Sequence, residues 1–162
     1  MDRAAFWTII DDARTAAEND EAFMGRLVAR LRILTAQELT RFQRHFDEVL
    51  AGSYTLELWG AINIVTDGCG DDAFEYFRAW LIAQGRQTFE RVTAAPDTLV
   101  ELSRVSELMD MLGIAADIYG EKTGGETMPR AQFSYPDLGD GWDFEDEEEM
   151  KRRYPRLTAD CW

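Results

Sequence analysis

Apolar residues recur at spacings of three and four along most of this chain, as they do on one face of an α-helix. Such runs cover residues 6–17, 23–34, 39–50, 56–65, 73–92, 99–105 and 106–121. We find no alternating stretch long enough for a β-strand and no internal repeat. The pattern therefore predicts an all-α protein, a single-domain orthogonal helical bundle of about six to seven helices.

Polar residues predict where several of these helices begin. Asp2 is placed to cap the first helix, and Thr35-Ala36-Gln37-Glu38 has the spacing of a capping box at the start of the third. Asp72 lies three residues before Glu75, which predicts the same role at the start of the run 73–92. These caps place helix starts that periodicity alone leaves open.

The most apolar stretch, residues 56–92, predicts two buried helices joined at Thr66–Asp71. The glycines of this junction are suited to ending the first helix. Within residues 73–83 the only charged side chains are Glu75 and Arg78. A helix that is apolar on nearly every side packs on several neighbours, so we expect the second helix to be central.

The segment LWGAINIVTDGCGDDAFEYFRAWLIAQGR, which starts at Leu58, resembles the bacterial domain-of-unknown-function 4240 family. That family has Leu-Trp-Gly-Ala, a Gly-Cys-x-Asp-Asp turn, and then Phe-x-x-Phe-Arg-x-Trp-Leu-Ile. Further similar positions are Phe6-Trp7, Pro96-Asp97 and Arg153–Leu157. The sequence departs from the family pattern at Asn63 and Gly70. The resemblance implies a fold and its boundaries, and it implies no activity.

Arg78 falls inside the apolar arc of its helix, together with Phe74 and Leu81. If that arc is buried, the guanidinium needs a carboxylate partner. The candidates for this partner are Asp67, Asp71 and Asp72. Two other arrangements stay open: Arg78 lines a pocket and binds an anion, or its stem packs on Trp80 or Tyr76 with its head in water.

The turn around Cys69 also raises the question of a metal site, because carboxylate oxygens suit Mg²⁺ or Ca²⁺. The turn departs from the EF-hand template, which needs Gly where Asp72 stands and Glu where Arg78 stands. Aspartates at a helix start are more often caps. We therefore expect no metal and no cofactor, and the weaker candidate ligands are Asp67, Asp71 and Asp72. Cys69 is expected to be packed and unreactive, because neighbouring carboxylates disfavour a thiolate.

Composition limits the partners and the compartment. The formal net charge is −14, which disfavours binding to nucleic acid and to anionic membranes. No stretch approaches the roughly 18 apolar residues of a transmembrane helix, and the N-terminus lacks the apolar core of a signal peptide. Two cysteines without short spacing form neither a metal knuckle nor a disulfide framework. We expect a cytoplasmic protein whose partner, if it has one, is another protein.

Residues 126–162 differ in kind from the helical domain formed by residues 1–125. Ala131–Met150 carries eight acidic and no basic residues. Aromatic residues nevertheless punctuate the segment, at Phe133, Tyr135, Trp142, Phe144, Tyr154 and Trp162. Acidic tails usually lack such residues, so we expect an irregular but ordered arm whose rings pack on the domain. Pro155 is expected to stop a single helical turn.

Three functional hypotheses follow from these features. The first is a non-enzymatic binding or protein-interaction module, with candidate binding residues Trp59, Cys69, Asp71, Asp72, Arg78 and Trp80. The second is a metal-assisted hydrolase in which the three aspartates hold the ion and Arg78 binds an anionic substrate group. The third is an acidic decoy that mimics the charge of nucleic acid and occupies a basic partner. We favour the first, and the sequence does not decide whether the protein is an enzyme.

Overall fold

The computed structural model describes residues 1–139 and 141–162. Within them the chain forms α-helices and two 3₁₀ helices without a β-strand, which confirms the all-α prediction. The α-helices are α1 (Arg3–Thr15), α2 (Asp20–Arg32), α3 (Ala36–Gly52), α4 (Leu56–Thr66), α5 (Asp71–Ala83), α6 (Arg86–Ala94), α7 (Ile114–Thr123), α8 (Glu147–Arg153) and α9 (Pro155–Cys161). The 3₁₀ helices are Pro96–Glu101 and Met109–Leu112. None of the described helices is both long and apolar enough to cross a membrane.

The caps predicted for the first and third helices form. Asp2 Oδ1 accepts a hydrogen bond from Ala5 N at 2.8 Å. Thr35 and Glu38 exchange both bonds of the capping box at the start of α3. These side chains satisfy backbone N–H groups that the first turn of a helix leaves without partners.

Two predictions about the central helix are wrong. α5 begins at Asp71 without a side-chain cap, so Asp72 lies inside the first turn and not at the N-cap. The helix also ends at Ala83 instead of running on to residue 92. Gly85 has a φ of 92°, which glycine adopts at little cost, and a Cβ at this position would lie 2.9 Å from Asp11 Oδ1. The glycine turn therefore divides the predicted helix into α5 and α6.

The helix boundaries after residue 105 also differ from those predicted. The run 106–121 forms the second 3₁₀ helix and α7, with Gly113 between them. α8 ends at Arg153, just before Pro155 as predicted, but it begins earlier, at Glu147, and Pro155 then occupies the first turn of a further helix, α9. Proline suits that position because its missing N–H would have no partner there and its fixed φ is already helical. The predicted irregular arm thus contains two helices.

The helices enclose a hydrophobic core that includes the C-terminal segment. α3 packs along α7, and α5 contacts α1, α3 and the second 3₁₀ helix. α9 packs against α4 and the first 3₁₀ helix. Three side chains from α8, α9 and the residue between them are at most 3% exposed: Met150, Tyr154 and Leu157. The C-terminal helices α8 and α9 therefore contribute to the same hydrophobic core as the earlier helices.

Candidate functional site

Arg78 lies in the core without the predicted carboxylate partner. Its side chain is 1% exposed, and Nη1 donates a hydrogen bond to Leu50 O at 2.6 Å. Its Nε is buried and has no hydrogen-bond partner among the described residues. No ion pair there joins Arg78 to Asp67, Asp71 or Asp72. The prediction that a buried Arg78 pairs with one of these aspartates is wrong.

Aromatic rings surround the guanidinium instead. Its Cζ lies 4.7 Å from the ring centroid of Phe74 and 5.0 Å from those of Tyr54 and Tyr135. The electron-rich face of a ring attracts a cation by about 0.5–2 kcal/mol. We call these three rings the aromatic box. Sequence reasoning missed it because Tyr54 and Tyr135 lie outside α5, where helical spacing gives no signal.

Tyr135 links the aromatic box to a carboxylate. Its hydroxyl donates a hydrogen bond to Glu75 Oε1 at 2.7 Å, and its ring stacks on Tyr54 at 4.5 Å. Burial and the bond to Glu75 raise the pKa of Tyr135, while Arg78 opposes the shift. The phenol therefore stays protonated at neutral pH and remains a hydrogen-bond donor.

A pocket of about 310 Å³ opens beside the aromatic box. Its lining residues are Asp47, Leu50, Ala51, Glu75, Leu112, Arg130, Ala131, Phe133 and Tyr135. Asp47 Oδ1 lies 2.7 Å from Arg130 Nη2 and also accepts from Gln43 Nε2 at 2.8 Å. The pocket thus combines apolar side chains with an ion pair, Asp47–Arg130, whose two members already neutralise each other.

The α4–α5 turn is held by the side chains of α4. Trp59 Nε1 donates to Cys69 O at 2.7 Å, and Asn63 Oδ1 accepts from Cys69 N at 3.1 Å. Asn63, where the sequence departs from the family pattern, therefore has a structural role. Burial and the nearby Glu107 raise the pKa of the Cys69 thiol to about 11. The thiolate is disfavoured at neutral pH, so Cys69 is a poor nucleophile.

Trp59 and Trp80 lie at opposite ends of a row of stacked rings. The row runs Trp59, Phe74, Phe77, Trp80, with successive ring centroids 4.7, 6.5 and 6.0 Å apart. Trp80 is buried, and its Nε1 donates to Asp20 Oδ2 at 3.1 Å. The candidate binding residues therefore do not converge on one surface.

The predicted metal ligands are not arranged as a site in the part of the chain described. No group of three or more His, Cys, Asp or Glu side chains there is placed to hold an ion. Asp71 and Asp72 lie in the first turn of α5, where negative charge is favoured by the helix dipole. Asp67 ends α4 in the left-handed conformation, with a φ of 53°. The convergence that the hydrolase hypothesis requires is not found among the described residues.

A second surface escaped the sequence analysis, a groove between the α4–α5 turn and the C-terminal segment. Its volume is about 840 Å³. We call it the acidic–aromatic groove, and its lining residues are Asn63, Asp67, Gly68, Trp142, Asp143, Phe144, Glu145, Glu147 and Trp162. The mixture of acids and rings was visible in the sequence, but its contact with residues 63–68 depends on tertiary structure. Asp140, one of the acidic residues of this segment, lies outside the described residues.

Comparison with known proteins adds a family and no activity. No curated protein and no solved structure matches the chain. A family model described as "Protein of unknown function (DUF4240)" matches residues 1–121. The match includes Arg78 and the α4–α5 turn, but it stops before Tyr135 and the C-terminal lining of the groove. The chain belongs to this family of unknown function, DUF4240.

Proposed function

We propose that this protein is a non-enzymatic interaction module that binds a lysine- or arginine-rich segment of another protein in the acidic–aromatic groove. The observation that carries the proposal is that carboxylates and aromatic rings line the same groove. The carboxylates belong to Asp67, Asp143, Glu145 and Glu147, and the rings to Trp142, Phe144 and Trp162.

Both kinds of side chain favour a basic segment. The carboxylates attract the cationic head groups, and the ring faces accept guanidinium groups and the apolar stems behind them. A contact of this type is present within the chain, where Arg153 Cζ lies 3.8 Å from the ring centroid of Trp142. Trp162 is 52% exposed, so one ring is open to a partner. The net charge of −14 would also speed the approach of a basic partner.

The other two hypotheses have less support. The hydrolase needs a cluster of metal ligands, and the described residues contain no such group. A decoy of nucleic acid would bind through charge alone, whereas the proposed groove also uses rings. Replacement of a ring therefore distinguishes an interaction module from a decoy.

The test is a titration with a short arginine-rich peptide that carries a fluorescent label, followed by anisotropy and by tryptophan emission. We expect binding that weakens with salt and changes the emission of the groove tryptophans. The double variant Asp67→Asn/Glu145→Gln should bind about tenfold more weakly, which corresponds to ~1.4 kcal/mol. Trp162→Ala should weaken binding as well.

The matched control is Glu18→Gln/Glu21→Gln, which removes two exposed carboxylates that do not line the groove. It should bind like the wild type once salt is present. Equal losses in the two double variants would mean that only net charge matters. Binding unaffected by Trp162→Ala would favour the decoy, and failure to bind the peptide would reject the proposal.

We further infer that the protein works in a reducing compartment such as the cytoplasm. Cys69 and Cys161 are both free thiols, and Cys161 is exposed. An exposed free thiol is compatible with a reducing environment and is prone to oxidation elsewhere.

A further inference from the structure

We infer that the pocket beside Arg78 binds a small carboxylate with an apolar body, and that Arg78 recognises the carboxylate. The inference is independent of the proposed protein-binding function, because this pocket and the acidic–aromatic groove share no lining residue. It rests on three features: an unneutralised buried charge, a buried Nε without a hydrogen-bond partner among the described residues, and a partly exposed ring that both packs on the guanidinium and lines the pocket.

The charge of Arg78 is buried without a neutralising anion among the described residues. A buried arginine cannot lose its proton to relieve the cost of burial. The aromatic box and the bond to Leu50 O offset only part of that cost. An incoming carboxylate would therefore gain a charged partner that the protein leaves unused.

The free hydrogen-bonding capacity of Arg78 has the right form for a carboxylate. Nη1 is engaged by Leu50 O, and Nε is buried with no partner among the described residues. In a guanidinium the Nε–H and one Nη2–H point in the same direction, and this edge matches the two oxygens of a carboxylate. The edge that contains the unpartnered Nε is thus the edge that binds carboxylates in a bidentate manner.

Tyr135 connects the pocket to the guanidinium. Its ring packs on the guanidinium and its side chain also lines the pocket. Tyr135 is 43% exposed and lies outside any regular element, whereas Phe74 on the same guanidinium is fully buried in α5. Rotation of the Tyr135 ring would open the pocket toward Arg78 at the cost of its bond to Glu75.

The lining of the pocket selects the kind of carboxylate. Leu50, Ala51, Leu112 and Phe133 provide apolar surface, while the carboxylates of Asp47 and Glu75 disfavour a ligand with several negative charges. A volume of about 310 Å³ is at the small end of ligand pockets. An arylacetate has the required single charge and apolar ring, and inorganic phosphate has neither.

The test follows the ¹⁵N–¹H signal of the Arg78 side-chain Nε by NMR while phenylacetate is added. The neutral isostere phenylacetamide and inorganic phosphate serve as comparison probes. We expect phenylacetate to shift this signal saturably, and the other two probes to bind at least about tenfold more weakly. Tyr135→Ala should bind phenylacetate several-fold more tightly, because the ring no longer has to be displaced.

Arg78→Met should abolish binding of phenylacetate, with folding checked by circular dichroism. Arg44→Gln is the control, since Arg44 is an exposed arginine paired with Glu48 and carries the same charge. If Arg78→Met does not fold, the Tyr135→Ala comparison still decides. The inference would be overturned if phenylacetamide bound as tightly as phenylacetate, or if phosphate bound more tightly than phenylacetate. It would also be overturned if Tyr135→Ala had the affinity of the wild type, or if neither the wild type nor Tyr135→Ala bound phenylacetate.

Discussion

Replacing a buried arginine whose guanidinium packs on aromatic rings has a different cost in stability from replacing one that is paired with a carboxylate. When one partner of a buried ion pair is removed, the charge left behind costs roughly 3–5 kcal/mol. Removing Arg78 leaves no such charge among the described residues. The carbonyl oxygen of Leu50 would still accept a hydrogen bond without Arg78, because Ser53 Oγ donates to it at 2.8 Å. The rings of Tyr54 and Phe74 would need only an apolar side chain of similar length to fill the space.

We therefore expect Arg78→Met to change the free energy of unfolding by no more than about 1.5 kcal/mol, because the flexible thioether packs well against rings. Arg78→Ala should cost more, about 2–5 kcal/mol, because it leaves a cavity. Urea denaturation followed by circular dichroism measures both. A loss above ~3 kcal/mol in Arg78→Met would show that the charge itself stabilises the fold.

Gly60 illustrates a second constraint on a single residue, the close approach of Tyr154 to α4. A Cβ at Gly60 would lie 2.5 Å from the Tyr154 hydroxyl oxygen, which donates a hydrogen bond to Glu57 O at 2.8 Å. We expect Gly60→Ala to destabilise the protein by about 1–3 kcal/mol, because it forces this tyrosine out of place. The change is measured as the shift in the urea midpoint.

Gly25 provides the control for this prediction. It lies inside α2, and a Cβ there would meet no atom within 4 Å. Gly25→Ala should therefore stabilise the helix by about 0.5–1 kcal/mol. Gly60→Ala and Gly25→Ala should move the midpoint in opposite directions, and a shift in the same direction would contradict the role given to Tyr154.

At the scale of the elements, local chemistry in the sequence correctly predicted the caps at Asp2 and Thr35 but placed the N-cap of α5 two residues too late, at Asp72. The caps at Asp2 and Thr35 formed because a cap needs only the next few residues. The break at Gly85 was missed because apolar spacing continues across it and the glycine's turn is decided by packing against α1. Tyr135 was missed as a partner of Arg78 for the same reason, since no local pattern reports a contact with a distant ring.

The capping box of α3 gives a pH-dependent prediction. Bonds from the backbone N–H and then the hydroxyl of Thr35 lower the pKa of Glu38 below its ordinary value of 4.5. A lowered folded-state pKa means that this stabilisation is present above pH 4.5 and is lost as the pH falls through the folded-state value. Glu38→Gln should therefore be less stable than wild type at pH 7.

The difference between wild type and Glu38→Gln should narrow as the pH falls below 4.5, and urea midpoints at several pH values measure it. Thr40→Ala is a suitable control because, among the described residues, the Thr40 hydroxyl bonds to Ala36 O within the helix and to no ionisable group. A constant difference between Glu38→Gln and wild type across this range would assign the effect of the substitution to something other than the charge.

For the whole molecule, the hydrophobic core extends beyond the residues that the family model matches. The match ends at residue 121, yet Tyr154 and Leu157 are buried against α4 and the first 3₁₀ helix. Burying one large apolar side chain stabilises a fold by about 1.5–3 kcal/mol. Several such contributions approach the net stability of about 5–15 kcal/mol that a domain possesses.

We accordingly expect a chain that ends at Gly125 to lose cooperative thermal unfolding, because the core stays open without α8 and α9. Removal of Cys161 and Trp162 alone should lower the Tm by less than about 4 °C, since both residues are exposed. Differential scanning calorimetry distinguishes the two cases. A cooperative transition in the shorter chain would mean that residues 1–125 fold without the C-terminal helices.

The stacked row from Trp59 to Trp80 restricts the motion of the rings inside it. Phe74 lies between Trp59 and Phe77, and the guanidinium of Arg78 packs on it as well. A phenyl ring turns over by half a revolution only when its neighbours briefly move apart, because protein interiors are close-packed. The two edges of Phe74 should therefore give separate proton resonances that merge on heating. Their exchange rate would measure how often the centre of the molecule expands.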